Sequence, residues 1–139
     1  MDISNQKEIY TYLKTILPSN YVIWGDDIKE IALVNGITIP TEKACAIYFK
    51  SASNPQRVVA GSYIQKSLRV TFNIFGDRKD NDSAKLFGEQ SIETISNILN
   101  KKLNNVRLIK FNLQGNLNFV GKNQQGVPVY SINWIMEYS

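Results

Sequence analysis

Residues 67–103 constrain this chain more than any other stretch. They begin Ser67-Leu-Arg-Val-Thr-Phe-Asn-Ile-Phe-Gly76, in which Leu68, Val70, Phe72 and Ile74 alternate with Arg69, Thr71 and Asn73. Period-two alternation puts the first set on one face of a strand and the second on the other, so the strand buries a single face. A charged connector, 76–82, follows. Beyond it Ala84, Gly88, Ser91, Ile92, Ile95, Ile98, Leu99 and Leu103 recur at helical spacing, opposite Lys85, Glu89, Glu93, Asn97 and Lys101. That predicts an amphipathic helix over 82–103. A strand face and a helix stripe that both need burial are best placed against each other. Gly88 lies on the stripe, where glycine costs about 1 kcal/mol against alanine. A close approach of helix to sheet is the expected compensation.

The rest of the chain supplies partners for this unit. A first helix is predicted over 5–17, with Asn5 and Glu8 in a capping arrangement. Ile9, Tyr12, Leu13, Ile16 and Leu17 form its stripe, and Pro18 ends it. A short strand is expected over 21–24. Asn35-Gly36 between two apolar runs signals a hairpin, with a helix over 27–34 as the competing reading. Ala44-Cys-Ala-Ile-Tyr-Phe-Lys50 is almost wholly apolar, which predicts a strand covered on both faces. A loop over 51–56 and a short strand over 57–60 follow. Strands are predicted over 107–113 and 117–119, separated by a bend or bulge at Gln114-Gly-Asn116. The last strand places Tyr130, Ile132, Trp134, Met136 and Tyr138 on one face. Two helices and five to seven strands joined by hairpins give the α+β class: a single domain, 1–139, with a mainly antiparallel sheet and two helices packed on one face.

The residue inventory removes most chemistry. Histidine is absent from the 139 residues. The commonest general base, the commonest metal ligand and every Ser-His or Cys-His nucleophile pair go with it. The one cysteine, Cys45, sits in an apolar run and reads as an inert buried thiol. Asp77, Asp80 and Asp82 invite comparison with a calcium loop, but its sixth and twelfth positions would fall on Asp82 and Gly88 rather than Gly and Glu. They read as a solvated turn and helix cap. Gly121-Lys-Asn-Gln-Gln-Gly126 has glycines but a misplaced lysine and no following helix, so it is a loop and not a phosphate cradle. Neither a dinucleotide glycine motif nor Cys-x-x-Cys occurs. The expectation is a protein that is not an enzyme and holds no cofactor or metal.

Charge and hydropathy exclude further classes. Lys and Arg number 16 against 12 acidic residues, a net +4. The basic residues are scattered, whereas nucleic-acid binders gather them on one face. A stacking platform would expose aromatics beside Lys or Arg. Tyr130, Trp134 and Tyr138 lack such neighbours and alternate with Ile132 and Met136, so they read as core. No apolar run reaches the roughly 20 residues of a membrane helix. The polar N-terminus predicts no signal peptide and a cytoplasmic protein.

What remains is surface. Thr71, Asn73, Ser131 and Asn133 are short and uncharged, with Arg69 near them, a face that either water or another subunit satisfies. Leu68-Arg-Val-Thr-Phe-Asn-Ile-Phe75, the amphipathic helix after the charged connector, and Gly126-Val-Pro-Val-Tyr-Ser-Ile-Asn133 together resemble the tail terminator proteins of long-tailed bacteriophages, also called tail completion or minor capsid proteins. The resemblance runs from about Ile9 onward and rests on element order more than on any single motif. It implies a homohexameric ring that caps the tail tube, stops its polymerisation and presents an attachment surface to the head–tail connector. DNA would pass through the lumen without sequence-specific contacts. The protein would reside at the head-proximal end of the tail in the virion, and in the host cytoplasm during assembly. On that reading Arg69, Thr71, Asn73, Asp77, Arg78 and Lys79 meet neighbouring subunits. Lys122, Asn123, Gln124 and Gln125 form a lumen or docking loop. Another head–tail joining or neck protein, or a small nucleic-acid- or ligand-binding domain, are the alternatives.

Overall fold

The computed structural model describes residues 1–17, 22–25, 44–58, 64–80, 82–122 and 126–139. Helix α1 spans Ile3–Ile16 and is followed by β1 (Val22–Trp24), β2 (Ala44–Val58) and β3 (Ile64–Phe75). Then come helix α2 (Asp82–Ser96), β4 (Leu99–Lys102), β5 (Arg107–Lys122) and β6 (Pro128–Tyr138). The strands form a six-stranded sheet in the order β1-β2-β3-β6-β5-β4. Only β1 and β2 run parallel; the other neighbouring pairs are antiparallel. Both helices pack on one face, which is the α+β arrangement expected.

The alternation in β3 sets the layers. Leu68, Val70, Phe72 and Ile74 are buried, as are Ile132, Trp134 and Met136 across the β3–β6 pairing. Burial of such side chains contributes about 1.5–3 kcal/mol each. Trp134 lies at the centre, with ring centroids 6.1 Å from Phe72 and 6.0 Å from Phe111. Its indole Nε1 has no hydrogen-bond partner among the described residues. Ala44, Cys45, Ala46 and Ile47 are all buried, but Tyr48 and Phe49 are half-buried and Lys50 is exposed, so the two-sided cover expected of that run holds only for its first half. Burial also pushes the Cys45 thiol pKa up.

The two helices close the core differently. From α2, Ala84, Phe87, Gly88, Ser91 and Ile95 are buried, and the Ser91 hydroxyl donates to the Phe87 carbonyl at 2.7 Å. Gly88 is the point of closest approach: a Cβ there would stand 2.6 Å from Leu117 Cδ1 and 3.3 Å from Ile74 Cδ1. Helix α1 reaches both ends of the strand order. Its Tyr10 ring meets Trp24 of β1 edge-on at 5.4 Å. Its Glu8 carboxylate accepts from Asn105 N at 3.0 Å and Asn105 Nδ2 at 2.9 Å, beside β4.

Four expectations need correction. The N-cap of α1 is Asp2, whose carboxylate accepts from Asn5 N at 2.9 Å, and Glu8 serves Asn105 instead of a capping box. Residues 51–56 are not a loop but part of β2, which pairs with β3 through an irregular register between Ser51 and Gln56. The separate strands expected at 107–113 and 117–119 form the single β5, bulged between Gln114 and Asn118 around Gly115 at φ 75°. Helix α2 stops at Ser96 rather than running to Leu103. There Asn97 N bonds Thr94 O and Ile98 N bonds Ile95 O, the tightened turn of a helix end. Asn100 takes φ 49°, a left-handed conformation that asparagine tolerates. The freed segment becomes β4, paired at Leu99↔Lys110, Lys101↔Leu108 and Lys102↔Arg107. Ile98 stays buried through the turn while Leu99 faces solvent at 69% exposure, so the helical periodicity past residue 96 was coincidental. The Pro18 stop and the Asn35-Gly36 hairpin lie outside the described residues.

Candidate functional site

The sheet face turned away from both helices gathers most of the residues singled out from the sequence. In the β3–β6 register Thr71 stands opposite Asn133 and Asn73 opposite Ser131, so the four short polar residues are contiguous. Thr71 Oγ1 donates to Asn133 Oδ1 at 2.9 Å. One strand further out, Asn112 Nδ2 donates to Glu137 Oε2 at 3.2 Å. Arg69 is exposed on the same face, opposite Ile135. Thr71, Asn73, Ser131 and Ile135 are only half-buried, so uncharged side chains reach solvent at the middle of this face.

The charged connector lies at one end of that face. Gly76 N donates to the Pro128 carbonyl at 2.9 Å, which ties the end of β3 to the start of β6. Asp77 Oδ1 accepts from Lys79 N and Asp80 Oδ1 accepts from Asp82 N, two local turns that order the backbone into α2. Asp77 is therefore committed to the turn. Arg78 and Lys79 are exposed. Lys122 pairs with Pro128, so it shares this end of the sheet. Asn123, Gln124 and Gln125 lie outside the described residues. Arg69 sits six residues along β3 from Phe75, about 20 Å away at strand rise. The structure thus unites Thr71 and Asn73 with Ser131 and Asn133, and separates Arg69 from the connector.

Sequence reasoning missed Phe119 and Val120, which are exposed at 52% and 61% near the end of β5. Phe119 rests against the Tyr130 ring at 5.2 Å. The bulges in β5 turn these side chains outward, and a bulge leaves no mark in hydrophobic periodicity beyond Gly115 itself.

The electrostatics of the described residues offer little for catalysis. The Asn105 backbone N–H donates to Glu8 and holds its carboxyl below the ordinary value against desolvation, with smaller help from the Asn105 side chain and the Asn104 N–H. Burial raises the Tyr138 phenol. Among the described residues no group of three or more Cys, Asp or Glu side chains is placed to hold a metal ion, and no helix is long and apolar enough to cross a membrane. The sequence matches no protein-family model and no curated protein.

Proposed function

We propose that this protein works by assembly rather than by chemistry, as a phage tail terminator: a ring that caps the tail tube, halts its growth and receives the head connector. The observation that supports the reading is the sheet face that neither described helix covers. It carries contiguous short neutral side chains, Thr71, Asn73, Ser131 and Asn133, with a charged turn at one end. Such a face loses little on desolvation because few full charges must be buried, and its amides and hydroxyls can pair across an interface. Ring closure then requires a head-to-tail contact that returns on itself, and six copies is the size implied by the resemblance in the strand, helix and terminal motifs. The tail tube protein and the head–tail connector are the partners, and DNA passes through without base readout.

Electron microscopy and native mass measurement test this, with the chain alone and then with polymerised tail tube. Closed rings are the expected result, and Lys79→Ala should lower ring yield while leaving the melting temperature unchanged. Asp77 is left in place because it holds the turn. A chain that stays monomeric at every concentration, with and without tube, would sink the proposal.

A further inference from the structure

Both margins of the sheet are stepped. At one, β1 is three residues long and covers β2 only from Cys45 to Ile47, while β2 continues to Val58 with no described strand outside it. At the other, β4 is four residues long and covers β5 only from Arg107 to Lys110, while β5 continues to Lys122 with no described strand outside it. Each margin therefore leaves part of a long strand's edge open beside a short strand. Open edges of this kind pair with strands of another chain.

The register makes the two steps complementary. Cys45 is level with Ile74, Tyr130 and Phe119 across β2, β3, β6 and β5. Val22 pairs with Cys45, so β1 stands at the height of the open part of β5. Lys101 of β4 is level, through Leu108, Tyr138 and Lys66, with Gln56, in the open part of β2. Direction agrees too. β2 and β5 run antiparallel to each other across β3 and β6; β1 is parallel to β2 and β4 antiparallel to β5, so β1 and β4 point the same way. Set against each other with no shift along the strands, the β5 margin of one copy and the β2 margin of the next share one column. In it β4 of the first and β1 of the second stand end to end without collision.

Side chains give this joint apolar content. Phe119 and Val120, both more than half exposed, lie on the open part of β5. Phe119 shares its level and its helix-side face with Val22, so the joint lays it against β1 of the next copy. The bulges of β5 keep regular main-chain pairing short here, so apolar contact supplies much of the affinity.

We infer that the sheet margins take a second copy of this chain, joined edge to edge and unshifted, β5–β4 margin against β1–β2 margin. The contact is heterologous and repeats from copy to copy. The inference rests on the assembly reading and deepens it by naming the joint between copies. The face of Thr71, Asn73, Ser131 and Asn133 then continues across the joint and is left for the tube or the connector.

Cross-linking with a short bismaleimide tests the register, on the chain alone and with polymerised tail tube. Ile23 and Asn118 are level and share the face away from the helices, and the native Cys45 is fully buried. Mixing Ile23→Cys with Asn118→Cys should give a cross-linked dimer, neither variant alone should, and a chain carrying both should give a ladder. Val120→Lys in that chain should weaken association by about tenfold, the loss of one aliphatic contact, with the melting temperature of the monomer unchanged. If Ile23→Cys unfolds the chain, hydrogen exchange of the unsubstituted protein reads the same joint: amides of residues 117–120 should slow as concentration rises. Asn118→Cys linking to itself marks a two-fold β5–β5 pair and overturns the inference. Closed rings without the Ile23–Asn118 cross-link also overturn it, and the assembly reading then survives. A ladder that never closes supports the joint and sinks the terminator reading. No association with or without tube overturns both.

Discussion

Gly88 offers a test of how closely α2 and the sheet are fitted. Replacing it with alanine adds one methyl in the middle of a helix, a gain of about 1 kcal/mol from backbone propensity alone. The added Cβ would stand 2.6 Å from Leu117 Cδ1, 3.0 Å from Leu117 Cδ2 and 3.3 Å from Ile74 Cδ1. Two of these contacts are at or inside the limit of real Cβ packing, and both are to the end of one flexible side chain. Leu117 is half-buried, so it can swing out, at the cost of part of its own burial. Overpacking of this kind costs about 1–3 kcal/mol. The two effects nearly oppose each other, and Gly88→Ala should be neutral or destabilising by about 1 kcal/mol. In a Leu117→Ala background the close contacts vanish and only the Ile74 contact remains. There the same change should stabilise by about 1 kcal/mol. Denaturant unfolding of the four proteins closes the cycle, with an expected coupling of about 1–2 kcal/mol. If Gly88→Ala stabilises equally in both backgrounds, the glycine is not there to admit Leu117, and the fitted contact between α2 and β5 is wrong.

Two further outcomes follow from the core and from α1. Trp134→Phe removes the unpartnered indole N–H, which offsets the lost ring volume, so it should change stability by no more than about 1 kcal/mol, against about 3–5 for Trp134→Ala. A Phe variant as costly as the Ala variant, read from denaturant midpoints, would mean that the N–H has a partner. The Glu8 carboxyl is held below its ordinary value of 4.5, so its contribution is present above that pH and is lost as pH falls through the folded-state value. Glu8→Gln keeps an acceptor for Asn105 but cannot titrate. Its stability should fall less steeply than the native chain's below about pH 4.5, and parallel acid profiles for the two proteins would refute the clamp.

Much of the fold was legible because periodicity reports burial directly. β3 and β6 each alternate without interruption, and their inward sets are the ones buried. Gly88 was legible for a different reason, since a glycine on a buried helical stripe needs a compensating contact. The errors came where a local pattern had two physical readings. Ile95, Ile98 and Leu99 fit a helix stripe, but pairing with β5 decided the segment after Ser96. The signals available were Asn97 and Asn100, residues suited to a helix end and to positive φ. Residues 51–56 look like a loop from their polar composition. Pairing of Ser51 and Gln56 with β3 holds the run at both ends, a partnership that no short window contains.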